Sequence, residues 1–479
     1  MEVTLVVDNV NTQLTGLYPR TRVDGALSFF RDGYFFDPRY RMHRWDGKVH
    51  LLSRDRFPTG LLGRVQQVLS AEGYTHVIED HRKFPTDFKS PQLPGITLRP
   101  YQIRTVLSML GKLRGIVQVP TAGGKTYIAA SAIKALNLPT VYIVHTSTLM
   151  QQTYEVFSKM FGSGSIGLVG GGKQEWRKVT VCMVQTLMSL MRQKKTSCFK
   201  GYEALVVDEC HHLASDGRKA SWYLAAEQFV NASVRFGLSA TPVTEKHGML
   251  LVGATGPILS EVTVRELQAK NYISESKIRF YETPTVLVEG ETWLEVYREG
   301  IVYNPIRNEI GCRATIMYSR KSRLVMVFVE LIEHGKILLD TLSNLAPELG
   351  VAFLSGQQDR DYVQENVRKA KNGEVKVLVV TRKLFGEGVD IPAIDVLINM
   401  AAGESVIVFT QMFGRGLRID EGKEWLTYID FVDRSHKYLA EHSRARIAHC
   451  KRLHQEVEIV SEGLFDGALF KEDGEGSSG

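Results

Sequence analysis

The stretch Gly115–Ala130, GIVQVPTAGGKTYIAA, decides the fold. Ile116, Val117 and Val119 make an apolar run, which passes into a loop of Pro120, Thr121, Ala122, Gly123 and Gly124 and then into a helix-prone segment from Tyr127. The pattern reads as strand, phosphate loop, helix. Small residues let backbone N–H groups approach a polyphosphate, and the N-terminus of the next helix favours negative charge. Lys125 supplies a compact cation to β/γ-phosphates and Thr126 a hydroxyl ligand for Mg²⁺. The loop departs from G-x-x-x-x-G-K-[ST], because Val119 stands where the first Gly would be. Alone, it could also be a Gly-rich turn.

Motifs further along the chain weigh against that bland alternative. Ala204–His212, ALVVDECHH, is an apolar strand ending in two adjacent carboxylates. Such neighbours are poorly tolerated unless a cation shares the site. With a phosphate loop nearby, Asp208 is expected to hold Mg²⁺, and Glu209 to orient and deprotonate the attacking water. The alternative, an Asp N-cap with Glu in the first helical turn, loses weight because the order GKT then D-E-x-H is kept. Val234–Thr241, VRFGLSAT, places Ser239 and Thr241 to bond the D-E-x-H turn. Upstream, Leu98–Gln102, LRPYQ, opens a helix, and Gln102 carries the donors and acceptor needed to read an adenine edge. Two other strands end in polar groups suited to nucleic-acid phosphates: Thr140–Val144, followed by Thr146, and Val179–Val184, followed by Gln185 and Thr186.

The second half again alternates strands and helices, which indicates another parallel sheet. Val375–Thr381 leads to Gly386–Asp390, GEGVD, with Thr381 a candidate phosphate contact. Gln411–Arg418, QMFGRGLR, would place Gln411, Arg415 and Arg418 on one helix face, where planar guanidinium groups suit a γ-phosphate.

A smaller module precedes these two α/β segments. From Phe29, FFRDGYFFDPRYRMHRWDGKVHLLSRDR interleaves aromatics with cations, and Trp45–Lys48 reads as a tight turn between two strands. Arg39, Arg41 and Arg44 are candidate nucleic-acid contacts, with aromatics able to stack bases. The plainer reading is that so small a module needs its aromatics for its own core. Pro85–Pro94 is a linker by composition, and Lys471–Gly479 has the composition of a flexible tail. The basic run Arg434, Lys437, Arg444, Arg446, Lys451 and Arg452 reads either as a DNA-touching helix or as a solvated face.

Whole-chain properties set wide limits. A chain of 479 residues, 44% hydrophobic and 23% charged, accommodates about three globular domains and is not of disordered type. The formal charge of +6 is compatible with a polyanionic partner and proves none. Cys182, Cys198, Cys210, Cys312 and Cys450 lie far apart and form no C-x-x-C, so neither a zinc site nor a disulfide framework is expected. The start, MEVTLVVDNV, has no basic region leading into a long apolar run, so a soluble, cytoplasmic protein is expected.

Taken in order, LRPYQ, the GGKT loop, DECH, SAT, GEGVD and QMFGRGLR resemble the DExH members of superfamily 2 helicases and translocases over residues 98–433. LRPYQ, the loop, DECH and the basic first module are most similar to UvsW-type phage DNA helicases. The resemblance implies an α/β fold of two RecA-like parallel-sheet domains in tandem (93–274 and 275–445), after a small N-terminal α+β domain (1–92) and before a basic helix and tail (446–479). It implies ATP and Mg²⁺ as cofactors and DNA as partner, no membrane, a monomer when isolated, and the host cytoplasm if phage-encoded. It gives Arg415 and Arg418 a finger role with Gln411 beside them, and places Gly388 and Asp390 where nucleic acid is coupled to nucleotide. The expected activity is ATP-driven unwinding or branch migration of forks, junctions and displaced loops. The alternatives are a DExH RNA helicase, a non-unwinding ATP-gated clamp, or the motor subunit of a restriction assembly.

Overall fold

The computed structural model describes residues 2–162, 164–214, 221–241, 248–386, 394–453 and 455–461. The chain divides into two compact units, Met1–Pro120 with Gly124–Val262, and Thr121–Gly123 with Thr263–Gly479.

The first unit opens with β1 (Glu2–Val7) and β2 (Asn11–Thr15), whose alternation buries Val3, Leu5, Val7 and Leu14 on one face. A short hairpin-like pair, β3 (Ser28–Phe30) with β4 (Lys48–His50), follows, then β5 (Arg56–Pro58) and β6 (Thr75–Asp80). The four-stranded sheet has the order β5-β2-β1-β6, with β6 parallel to β1 and the other pairs antiparallel. The helix Leu62–Ala71 covers it with Val65 and Leu69. Trp45–Lys48 does not directly join two paired strands: residues 31–47, with a short helix Pro38–Arg41, separate β3 from β4. The Asp46–Gly47 turn exists, Asp46 Oδ1 accepting from Lys48 N–H at 3.0 Å, but it leads out of that excursion.

The module does not close its core alone. Met249, on the helix Gly248–Ala254 of the motor part, belongs to the same buried cluster as Val3, Phe57 and Leu69. Backbones touch here, since a Cβ on Gly60 would overlap the carbonyl oxygen of Val252.

The motor part of this unit is an eight-stranded sheet: β7 (Arg114–Gln118), β8 (Thr140–Val144), β9 (Ile166–Gly170), β10 (Lys173–Glu175), β11 (Val179–Met183), β12 (Ala204–Val207), β13 (Val234–Ser239) and β14 (Ile258–Glu261). Its order is β10-β9-β11-β8-β12-β13-β7-β14, and all pairs are parallel except β9 with β10. β7, β8 and β12 are buried along their whole length, as expected of strands covered on both faces.

The second unit holds β15 (Glu275–Glu282), β16 (Val325–Val329), β17 (Val351–Leu354), β18 (Val377–Thr381), β19 (Val396–Asn399), β20 (Trp425–Val432) and β21 (Val457–Val460). The order is β17-β18-β16-β19-β20-β15-β21, parallel throughout. The basic run after Asp433 forms the helix Lys437–Arg452, with Arg434, Lys437, Arg444, Lys451 and Arg452 exposed as a solvated or DNA-touching face would have them. Arg446 alone of the six departs from both sequence readings, being 1% exposed. Its Nε is 3.0 Å from Asp430 Oδ2 on β20, and its Nη1 donates to the Ala402 carbonyl at 2.6 Å. One strand beyond this helix, β21 completes the sheet edge beside β15, so the part from 446 onward begins within the packed domain. Among the described residues, no helix is long and apolar enough to cross a membrane.

Candidate nucleotide and nucleic-acid sites

β7 delivers the loop after Gln118. Val119 is fully buried and its N–H donates to the Ser239 carbonyl at 2.9 Å, so the position lacking Gly belongs to the strand end and needs no special backbone. The turn is made instead by Ala122 (φ 70°) and Gly124 (φ 76°), both left-handed. Pro120 and Thr121 lead into it, Gly123 lies between the two left-handed residues, and the helix Lys125–Leu136 starts at once after Gly124. Its first N–H groups have no helical acceptor, which fits an anion cradle. Gln102 is buried against this end: a Cβ at Gly124 would sit 2.5 Å from its Nε2. Its Oε1 accepts from Arg99 N–H at 2.9 Å, which orients the amide.

Lys125 Nζ lies 3.8 Å from Glu209 Oε1 and 3.5 Å from the Val119 carbonyl. Asp208, at the end of β12, is 7% exposed, and its Oδ1 accepts from Glu209 N–H at 2.9 Å. Burial, and next the Glu209 carboxylate, push the Asp208 carboxyl up to about 6, against the pull of Lys125. A buried carboxylate short of positive charge, with a hydroxyl at Thr126 opening the facing helix, is a donor set that fits a hard divalent cation. Glu209 takes φ 46°, outside the helical range, so it is not the first-turn residue of a capped α-helix.

The D-E-x-H turn connects to the S-A-T strand. His211 Nδ1 sits 3.4 Å from both Glu209 Oε2 and Ser239 Oγ. Ser239 Oγ is in turn 3.0 Å from Thr241 Oγ1. Sequence reading placed Ser239 and Thr241 at this turn but gave His211 no role, although its spacing from Glu209 was visible.

The proposed phosphate contacts of this unit lie at neighbouring strand ends. Thr146 caps the helix Ser147–Phe161, its Oγ1 accepting from Leu149 N–H at 3.2 Å. Gln185 is exposed and donates through Nε2 to the His145 carbonyl at 2.8 Å, joining the ends of β8 and β11. Thr186 is half-buried one residue on.

In the second unit Thr381 ends β18, 2% exposed, with a hydroxyl that has no hydrogen-bond partner among the described residues. It lines a cavity of about 420 Å³ together with Glu330, Glu333, Gly356, Gln357 and Lys383. Gly388 and Asp390 lie outside the described residues. Gln411 and Arg415 are on the helix Val406–Gly416, both half-buried. Arg415 Nη1 donates to the Phe385 carbonyl at 2.6 Å while its guanidinium stacks on the Phe385 ring, 4.4 Å from the centroid. Arg418 does not share that helix face: the helix ends at Gly416, and Arg418 is exposed in the turn beyond. Gly414 and Gly416 weaken the last turn, which accounts for the early stop.

In the first module the aromatics divide. Phe29 and Phe57 are core, but Phe30, Phe35 and Phe36 stand 49–67% exposed, with Met42 exposed near them in sequence. Tyr40, Trp45, Phe35, Arg41, His43 and Arg44 line a shallow groove of about 460 Å³, with the carboxylate of Asp46 as the single acidic group of the lining. Arg39 differs from the other two arginines. It is paired with Asp37, Nη2 to Oδ2 at 2.8 Å, and lies over Trp45 at 5.2 Å, so it braces the fold.

Comparison with known proteins agrees with this geometry. Residues 95–244 match the family "Type III restriction enzyme, res subunit", residues 308–420 "Helicase conserved C-terminal domain", and residues 21–79 "DNA helicase UvsW, N-terminal". With two parallel-sheet units carrying the ordered motifs, the chain is a superfamily 2 helicase of the DExH kind, an ATP-hydrolysing DNA helicase. Within that class it is similar to the ATP-dependent DNA helicase uvsW of Enterobacteria phage T4, at 26% identity over 438 residues covering 85% of each chain. It is also 25% identical to the DNA 3'-5' translocase XPB2 of Sulfurisphaera tokodaii, over 67% of this chain and 79% of that one. In fold it resembles S. cerevisiae Dbp5 bound to RNA and ADP BeF3 (TM-score 0.53, 17% identity, 77% of this chain and 91% of that one).

Proposed function

We propose that the protein couples ATP hydrolysis to remodelling of branched DNA, separating or migrating strands at forks, junctions and displaced loops. The observation that carries this reading is the aromatic and cationic groove of the first module, whose core is completed by Met249 of the motor part. A groove with ring faces and exposed cations suits unpaired bases and their phosphates, and the shared core joins it firmly to a strand-gripping motor. The phage relative named as a DNA helicase and the match of residues 21–79 support the choice of DNA.

ATP with Mg²⁺ supplies the phosphoanhydride whose hydrolysis drives the cycle. Lys125 turns from Glu209 to the β/γ-phosphates, and Thr126 and Asp208 hold the cation. Glu209, relieved of Lys125, accepts the proton of the attacking water at its carboxylate. His211 passes the position of Glu209 to Ser239 and Thr241. Gln102 reads the base, Arg415 and Arg418 neutralise charge on the transferred phosphoryl with Gln411 beside them, and Gly388 and Asp390 link nucleotide to nucleic acid. Thr146, Gln185, Thr186 and Thr381 hold successive phosphates of one strand, and Arg41 and Arg44 contact the branch.

ATPase and strand-separation rates with single-stranded, duplex, forked and four-way DNA, beside matched RNA, test the proposal. Forked and four-way DNA are expected to give the highest strand-separation rates. Equal activity on linear duplex, or preference for RNA, overturns it.

A further inference from the structure

At the end of the helix Val406–Gly416 the carbonyls of Gly416, Leu417 and Arg418 have no helical donors. All three are taken by groups from elsewhere in the second unit. The half-buried ammonium of Lys423 donates to the Gly416 carbonyl and, at 3.1 Å, to that of Arg418. Ser274 donates its N–H to the Leu417 carbonyl at 2.9 Å and its hydroxyl to the Arg418 carbonyl at 3.3 Å. Ser274 ends the segment that leads from β14 into β15, the stretch by which the chain passes between the two units. That segment is itself tied down, Gln268 Nε2 donating to the Ser274 carbonyl at 3.1 Å.

Lys423 is held in turn. Arg323 grips Asp395 through Nη2 at 2.9 Å and Nε at 3.3 Å, and its Nη1 reaches Asp420 at 3.3 Å and the Glu421 carbonyl. The turn that carries Lys423 is thereby fixed to the start of β19. Burial, with Arg323 adding to it, lowers the Lys423 ammonium to about 8, against the pull of Asp395 and Asp420. A half-buried lysine is costly, and here the negative end of a helix offsets the cost.

We propose that Lys423 and Ser274 form a clamp that positions Arg418 directly and Arg415 through the last helical turn, and that ties this arginine pair to the interdomain segment. Lys423 is thus a positioning residue for hydrolysis, and movement of the segment is transmitted to the arginines through the Arg418 carbonyl. The inference rests on the assignment of Arg415 and Arg418 to the transfer step given above.

Full-length R418A, K423M, K423R, S274A and the R418A/K423M double variant are compared for kcat and KM of DNA-stimulated ATPase, affinity for a fluorescent ATP analogue, and Tm. K423M is expected to lower kcat about 10-fold, with KM within about twofold and analogue affinity unchanged, because a displaced group loses rate before binding. K423R recovers most of the rate, and the double variant is no slower than R418A alone, as two groups acting through one atom require. A wild-type kcat in K423M beside a slow R418A overturns the clamp and leaves the arginine assignment standing. A wild-type kcat in R418A overturns that assignment itself. Should K423M fail to fold, S274A decides: a drop of about threefold in kcat supports the clamp, and an unchanged kcat overturns it.

Discussion

Lys125 stands 3.8 Å from Glu209 with its ammonium near the carbonyl of Val119, so the side chain that balances the carboxylate pair is also the one proposed to capture nucleotide. Lys125→Ala is therefore expected to abolish ATP hydrolysis while DNA affinity stays within about twofold, because none of the proposed nucleic-acid contacts passes through it. Steady-state ATPase and filter binding on one preparation check this; joint loss would contradict the division of labour. His334 offers a second residue-scale test. It is fully buried, its Nε2 2.9 Å from Asn308 Oδ1, and burial, with Arg307 adding, lowers its imidazolium to about 3. Below pH 6.5 the unfolded chain binds a proton that the folded one refuses, so stability falls as pH drops toward 3. At pH 5 the loss is about 2 kcal/mol. His334→Gln, which keeps a donor, should narrow the difference between Tm at pH 7.5 and at pH 5. An unchanged difference would show that other groups govern acid unfolding.

At the scale of elements, local sequence carried what local sequence decides. The GGKT loop and the DECH turn each combine strand, turn and polar residue within a dozen positions, and both stand where the spacing put them. Arg418 escaped because the helix stops two residues early, at a pair of glycines whose cost a face-counting argument ignores. Arg446 escaped for another reason. Its partners Asp430 and Ala402 lie on β20 and after β19, and no window over the helix could show them. The same applies to Arg307, whose guanidinium meets Asp433 at 2.8 and 3.3 Å and the Met400 carbonyl at 3.1 Å. These buried pairs fasten the helices Pro305–Ser319 and Lys437–Arg452 to β20. Removing one partner leaves a buried charge, so Arg307→Met is expected to cost about 3 kcal/mol or more. Denaturant melting would show it as a lower midpoint at an unchanged slope, and a loss under about 1 kcal/mol would mean that Arg446, 3.7 Å from Asp433, suffices as counter-charge.

For the whole molecule, charge is informative only where it is unpaired. The formal +6 is a small excess over 479 residues, and many arginines are spent on carboxylates: Arg39 on Asp37, Arg82 on Asp80, Arg323 on Asp395. Arg41 and Arg44 instead line the exposed groove. Replacing both with Ala should weaken branched DNA more than linear duplex and reduce the slope of log K against log salt by about 1 to 2, one counterion for each phosphate that is no longer neutralised. Titrations at several salt concentrations measure this, and an unchanged slope would place the branch contact elsewhere. The sequence pattern showed that aromatics and cations interleave. It could not tell Phe29, which is buried, from Phe30, which is not, since the two faces of one short strand differ only in what packs behind them.

The flanking of β15 by β20 and β21 has a consequence for biosynthesis. Both partners of this strand are encoded far downstream, so it leaves the ribosome with neither edge satisfied and waits for nearly the whole remaining chain. The first unit, by contrast, has every strand of its own sheets once translation passes β14. A nascent chain thus holds a folded first half next to an open strand edge, and that interval is when a chaperone has most to shield.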